Sequence, residues 1–345
     1  VVKSELMRKP RFKAPSSFPV AYYHCLSRVV GGQFVLGDEE KEQFVILMRE
    51  YERFCGVKII TYCVMSNHFH LLMEVPEKPA EKLSDGELVK RLRGLSGMNN
   101  AETIAQQLGW YRQRGQDEAA EALKMQVLKR MWDVSAFMKL LKQRFTQWYN
   151  GRQKRRGTLW EQRFKSVLVE GAGNSMATIA AYIDLNPVRA GLVGDPKDYR
   201  WSGYGEAIAG GRAARAGIQF VMCRAAGQPL DAKAALRDYR LWVFGQGEET
   251  EGTTVEGKAI RKGFQRETVL KEVAEKGRLP VVEYLRLRVR YFTDGVALGS
   301  KNFVEDVFKS DRDRFGPKRK DGARRLKGVQ SDLYSLRALR VNPLG

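Results

Sequence analysis

The feature that most constrains this chain is one apolar run, Val57 to Val75, which contains Ser66-Asn67-His68-Phe69-His70-Leu71-Leu72-Met73. Val57 to Met65 is strongly β-forming and His68 to Val75 is a second strand, so Met65-Ser66-Asn67 reads as a tight turn between them. In a strand, residues i and i+2 project from the same face. His68 and His70 therefore present two imidazoles side by side, while Phe69 turns into the opposite layer. The chain has three histidines in all, and two of them are here. Two neutral imidazoles on a rigid strand form two-thirds of a divalent-metal site. The plainer alternative is a pair of half-buried histidines packed on a sheet face.

A second element sits further along, at Ala181-Tyr182-Ile183-Asp184-Leu185-Asn186-Pro187-Val188-Arg189-Ala190-Gly191. Asn174 or Ser175 can cap a helix there, and Met176, Ile179 and Ile183 recur at helical spacing. At about 100° per residue, Tyr182 and Asn186 lie ~40° apart in azimuth and one turn apart. Both flank the apolar stripe, so a phenol and an amide oxygen could face the histidine strand together. Alternatively, Tyr182 is a boundary aromatic, and Asn186 caps a following helix with Pro187 in its first turn. Asp184 points to another face and ranks below Asn186 as a ligand.

These residues carry a resemblance. His68-Phe69-His70 resembles the His-hydrophobic-His motif of the single-tyrosine HUH transposases. The Tyr182 to Gly191 segment looks like the catalytic helix of the REP-associated tyrosine transposases. Tyr23-His24-Cys25-Leu26-Ser27-Arg28 resembles that family's first strand, and Thr158-Leu159-Trp160-Glu161-Gln162-Arg163-Phe164-Lys165-Ser166 resembles its segment before the tyrosine helix. The similarity covers residues 18–205, interrupted by an insertion at about 77–130. It implies a ferredoxin-like fold with the histidine pair on a central strand. It also implies Tyr182 as nucleophile, and His68, His70 and Asn186 as ligands to Mg²⁺ or Mn²⁺. The expected reaction cleaves and rejoins single-stranded or hairpin DNA through a 5′-phosphotyrosine, with repetitive palindromic elements as the expected target. A catalytically silent hairpin-binding regulator and a relaxase or replication-initiator type of nickase are the competing readings. His24 is left as a partner behind the ligands or as a plain strand residue.

Composition fits a globular nucleic-acid enzyme. Of 345 residues, 43% are apolar and 10% aromatic, and sixty basic against forty acidic residues leave a net charge of +20. Such an excess favours a polyanionic partner through counterion release and steering. No apolar run reaches transmembrane length, no lipidation motif is present, and Val1 to Pro19 lacks an apolar signal core. Cys25, Cys55, Cys63 and Cys223 are scattered, which suits a reducing cytoplasm and argues against structural zinc or a disulfide framework. A monomer or a homodimer is expected.

The elements follow the order strand–helix–strand–strand–helix–strand. Ala21 to Arg28, Val57 to Met65, His68 to Val75 and Lys165 to Val169 are the strands, and Glu39 to Phe54 the first helix, stopped by Gly56. That order predicts an α+β fold, a ferredoxin-like antiparallel sheet with helices on one face. Within the insertion, helices are predicted after Ser84, over Ala101 to Leu108 and over Glu118 to Met131; mixed charge makes it a solvated helical excursion. Asp133 caps a helix over Val134 to Tyr149. No acid occurs from 139 to 156 while Lys139, Lys142, Arg144, Arg152, Lys154, Arg155 and Arg156 accumulate. Interleaved with Trp148, Tyr149 and Trp160, this run reads as a single-stranded DNA contact rather than a merely solvated face. Lys142, Arg144, Arg152, Lys154, Arg155, Arg156, Trp160 and Arg163 are its named contacts, with Trp160 the better stacking candidate. Residues 206–260 read as a linker region and 261–316 as a small helical domain with helices over Arg266 to Lys276, Pro280 to Phe292 and Ser300 to Lys309. That array suits a helix-turn-helix module or a helical cap equally. Residues 317–345 read as a basic tail, part of a flexible phosphate-binding arm that includes Lys318 and Lys320.

Overall fold

The computed structural model describes residues 11–15, 17–81, 83–95, 100–247, 250–253, 259–261, 290–293, 295–326 and 332–337. Four antiparallel strands form its centre: β1 (Val20–Arg28), β2 (Lys58–Val64), β3 (His68–Pro76) and β4 (Lys165–Val169). They lie in the order β2-β3-β1-β4, the ferredoxin-like arrangement expected. Register sets Arg28 opposite His68, Leu26 opposite His70 and His24 opposite Leu72.

Helix α1 (Asp38–Cys55) begins where Asp38, Glu39 and Glu40 complement the helix dipole, and Glu40 accepts from the Gly37 N–H at 3.0 Å. It ends at Gly56, whose left-handed φ of 66° closes the last turn through its N–H to the Glu52 carbonyl. The insertion forms α2 (Asp85–Arg93), α3 (Asn100–Gln113) and α4 (Asp117–Leu128). Its charged side is tied by Arg112 to Asp85, Asp117 and Glu121 at 2.6–2.9 Å. It is not wholly solvated, because Leu88, Leu92, Leu108, Val127 and Leu128 enter the same core as Phe44 and Phe69. Helix α5 (Val134–Arg152) starts at Asp133, which accepts from the Ala136 N–H at 2.8 Å.

The two-residue period of β3 divides the molecule. Phe69, Leu71 and Met73 point into the layer of α1 and α5, while Leu72 joins the opposite layer with α6 (Asn174–Asp184). The one-turn helix α7 (Asn186–Arg189) follows directly. The tyrosine helix thus lies across the sheet from the two ferredoxin helices.

The linker expected over 206–260 is replaced by helices through most of its length: the end of α8 (Gly203–Ile208), then α9 (Arg212–Ala226) and α10 (Ala232–Gly247). Small residues mark close packing there, not looseness. A Cβ on Gly217 would come within 2.0 Å of the Ile60 carbonyl oxygen, so glycine lets α9 lie directly on β2. Thr250–Thr253 and Ala259–Arg261 pair as a small hairpin.

Of the three C-terminal helices expected, the first, Arg266 to Lys276, lies outside the described residues, as do residues 280–289 of the second. The third is found at Lys301–Ser310, capped by Ser300. The described part is neither a separate helix-turn-helix module nor a free arm. Ala297–Gly299 pairs in parallel with β4, and Arg324–Arg325 and Tyr334–Leu336 extend the sheet to seven strands among the described residues. Phe303, Val304, Val307 and Phe308 join the core of α1 and α5. Strands of two or three residues carry no readable period, which is why the sequence reads as a tail. Among the described residues no helix is long and apolar enough to cross a membrane.

Candidate active site

His68 and His70 share one face of β3, with ring centroids 5.1 Å apart. Tyr182 on α6 meets them: its ring centroid is 5.7 Å from that of His70 and 5.9 Å from that of His24. His24, unassigned by the sequence, stacks on His70 at 5.1 Å.

Hydrogen bonds fix where the protons sit. His24 Nδ1 lies 2.8 Å from the Phe292 carbonyl, which can only accept, so Nδ1 carries the hydrogen. Burial lowers the His24 pKa to about 4, so the ring is neutral and Nε2 is a lone pair. That lone pair is 2.9 Å from His70 Nδ1, which is therefore the donor. Burial, reinforced by His68, His24, Arg189 and Arg28, holds His70 well below its ordinary pKa, leaving its own Nε2 unprotonated. The same logic applies to His68. Asn67 Nδ2 donates to the Gly32 carbonyl at 3.0 Å, so Asn67 Oδ1 accepts from His68 Nδ1 at 2.6 Å. Burial and Arg28 lower the His68 pKa to about 4. Both histidines therefore keep Nε2 as a lone pair with no hydrogen-bond partner among the described residues, the tautomer a metal ligand needs.

Asn186 is half-buried. Its Nδ2 donates to the carbonyls of Tyr182 at 2.9 Å and Ile183 at 3.1 Å, so the amide acceptor Oδ1 is the atom not used in these bonds. Two neutral nitrogens and one amide oxygen fit a divalent cation that keeps open positions for phosphate and water. Among the described residues no group of three or more His, Cys, Asp or Glu could hold a metal, so a cation on His68 and His70 would need an amide such as that of Asn186 as a third ligand. Asp184 is turned away: its carboxylate accepts from Thr61 Oγ1 at 3.1 Å, the Tyr204 N–H at 3.2 Å and the Tyr239 hydroxyl.

Tyr182 is 3% exposed, with the Phe292 ring 4.9 Å away on one side and the Arg189 guanidinium 4.9 Å from its ring centroid. Arg189 Nη2 is buried with no hydrogen-bond partner among the described residues. Arg189 and Arg28 were not assigned from sequence. The signal for Arg189 was its place two helical turns after Tyr182; Phe292, which lies 268 residues from His24 in the chain, offered none.

The expected DNA contacts occupy the other layer and the end of the sheet near His68, where the Glu161 N–H reaches the Arg28 carbonyl at 3.0 Å. Lys154, Arg156 and Arg163 are exposed. Arg152 is paired with Glu39, Arg155 donates to the Thr158 carbonyl at 3.1 Å, and Lys142 donates to the Gln162 carbonyl at 3.0 Å. Trp160 departs from its expected role. It is 6% exposed, packs on Phe44, Phe69 and Phe145, and spends its N–H on the Lys142 carbonyl at 3.2 Å. Its apolar bulk is core, so it cannot stack on a base. The aromatic that does reach solvent at this end is Phe34, 81% exposed, two residues beyond the Gly32 carbonyl that orients Asn67.

Comparison with known proteins follows this geometry. Residues 17–113 match the family described as transposase, IS200 like. No curated protein matches. A solved structure described as a REP-associated tyrosine transposase bound to a REP hairpin aligns with 13% identity and a TM-score of 0.37, covering 59% of this chain and 87% of that one. Over the segment that builds β1, α1, β2 and β3 and carries the histidine pair, the chain is thus similar to the IS200-like transposases, the resemblance its motifs bear.

Proposed function

We propose that this protein is a DNA transposase that cleaves and rejoins single-stranded, hairpin-forming DNA through Tyr182. The observation that carries this reading is the meeting of the Tyr182 ring with a histidine pair whose two Nε2 lone pairs have no partner among the described residues. His68, His70 and Asn186 would hold Mg²⁺ or Mn²⁺. A bound cation supplies polarisation of the scissile phosphate. Tyr182 attacks phosphorus as the phenolate, with Arg189 over its ring favouring the negative charge. The new bond is Tyr182 Oη–P; the bond broken is P–O3′, whose oxygen takes a proton and leaves as a free 3′-hydroxyl. Attack by another 3′-hydroxyl on the 5′-phosphotyrosine reverses the step and joins strands. Because Tyr182 is 3% exposed, with Phe292 packed on its ring, DNA access to the phenol needs a local rearrangement. The four unpaired cysteines suit a reducing compartment, and we place the reaction in the cytoplasm.

The test is direct. Protein and Mg²⁺ incubated with labelled hairpin-bearing single strands should yield a denaturation-resistant protein–DNA adduct. Binding with no adduct at any Mg²⁺ or Mn²⁺ concentration would leave a silent hairpin reader instead.

His68→Ala and His70→Ala should each abolish adducts, and Asn186→Ala should weaken them less, since water can replace one neutral oxygen ligand. His24→Ala leaves the His70 Nδ1–H without its acceptor. It should therefore raise the metal concentration needed for half-maximal rate by about 10–100-fold. Adducts unaffected by EDTA would reject the metal set.

Replacing Arg152, Lys154, Arg155 and Arg156 together by alanine should flatten the salt dependence of DNA binding. Each lost phosphate contact removes about 0.7 from the log–log slope. Since Arg152 and Arg155 already have partners, the expected change is about 1.4, from Lys154 and Arg156. Phe34→Ala should weaken unpaired strands more than duplex, and Trp160→Ala should instead lower stability. Equal loss on both forms of DNA would remove Phe34 as a stacking residue.

A further inference from the structure

Across the sheet from Tyr182, the turn after α4 and the outer faces of α5 and α1 enclose a cavity of about 460 Å³. Four lining residues are cations, Lys129, Arg130, Lys139 and Arg144, and none is Asp or Glu. Neighbouring cations of the insertion are paired: Arg112 has three carboxylates, and Lys124 reaches Asp85 at 3.1 Å. The four at the cavity have no ion pair among the described residues, and the Arg144 Nε is buried with no hydrogen-bond partner. Arg144, Arg130 and the buried Glu50 all act on the buried Tyr51 phenol, so one carboxylate stands behind the lining beside two of its cations. Four cations against one buried carboxylate still repel on balance, and an anion seated among them offsets that cost.

We propose that this cavity binds the phosphate backbone of a nucleic-acid strand, as a contact site separate from the Tyr182 centre. It rests on the reading above only for the identity of the polyanion. Its volume lies in the range of pockets that enclose a nucleotide-sized ligand, well beyond a single phosphate. Continuity favours a strand over a free nucleotide. From Lys139 to Arg152, α5 runs about 20 Å, and exposed Lys154 and Arg156 follow just beyond its end.

The test uses the full chain with Lys129→Gln, Arg130→Gln and Lys139→Gln combined, changes that keep side-chain length at exposed or half-exposed positions. Affinity for a labelled hairpin strand is measured from about 50 to 300 mM NaCl, a range over which the screening of exposed charges changes strongly. The slope of log affinity against log salt should become shallower by about 2, with affinity at least tenfold lower at about 0.1 M salt. An unchanged slope overturns the proposal. If the combined variant's thermal midpoint falls by more than about 3 °C, single Lys139→Gln replaces it, with an expected slope change of about 0.7. Pyrophosphate stabilisation is measured in parallel. Its loss in the variant with an intact strand slope would make this a site for free polyphosphate and overturn the strand assignment. Adduct formation by the unsubstituted protein separates the two readings. Adducts with an unchanged variant slope reject the cavity alone, and a flattened slope without adducts rejects the tyrosine chemistry and leaves the cavity.

Discussion

Tyr182→Phe is expected to abolish covalent protein–DNA adducts, by about 10⁴-fold or more if the phenolic oxygen is the nucleophile. Affinity for the same hairpin strand should change by at most about tenfold, the worth of one hydroxyl hydrogen bond. The measurement is a denaturing gel of labelled DNA for the adduct and equilibrium binding for affinity. Persistent adducts would move the nucleophile elsewhere, and the fold limits where. Tyr62 and Tyr23 belong to the opposite layer, where burial holds Tyr62 well above its ordinary pKa and pushes Tyr23 up to about 12. Tyr22 shares the catalytic face but packs against Phe220 at 5.9 Å.

Asp184→Ala should be the most damaging substitution for stability. The carboxylate is fully buried and accepts from Thr61, the Tyr204 backbone and Tyr239, joining the tyrosine helix to β2 and α10. Alanine leaves three buried donors without an acceptor, each costing about 1–3 kcal/mol and not fully additive. A loss of roughly 3–5 kcal/mol in denaturant unfolding is expected. Asp184→Asn keeps an acceptor and should cost less. A loss below about 1 kcal/mol would show that the network is incidental. Burial raises the Asp184 pKa to about 7. In the unfolded chain a carboxyl titrates near ~3.9, so the folded state holds the extra proton between these values. The Asp184 contribution therefore falls as pH climbs from about 4 to 7 and stays low above it. In Asp184→Asn that part of the pH dependence should vanish.

Much of the site was legible because its logic is local. Alternation in β3 put His68 and His70 on one face, which depends only on backbone period. The single helix edge expected for Tyr182 and Asn186 is interrupted, since α6 ends at Asp184 and Asn186 opens α7. The helix starts at Ser84 and Asp133 were equally local, and each side chain accepts a first-turn N–H. The strand–helix order specified the ferredoxin-like sheet for the same reason. Residues 206–260 misled because glycine and alanine mean flexibility or close approach, and only the presence of β2 beneath Gly217 distinguishes them.

What the sequence alone determined, then, is which side chains share a face within each element: the histidine pair of β3, and the apolar stripe and basic run of α5. What only the tertiary structure decided is what lies behind and over them. His24 sets the His70 tautomer from another strand, the Phe292 carbonyl sets that of His24, and Arg189 comes to rest over the Tyr182 ring. Trp160 went into the core and Phe34 stayed outside, although both are aromatic residues beside basic or polar neighbours. The physical reason is that intra-element geometry repeats every two or 3.6 residues. Burial and hydrogen-bond pairing between residues tens to hundreds of positions apart are instead settled by packing, which no local period encodes.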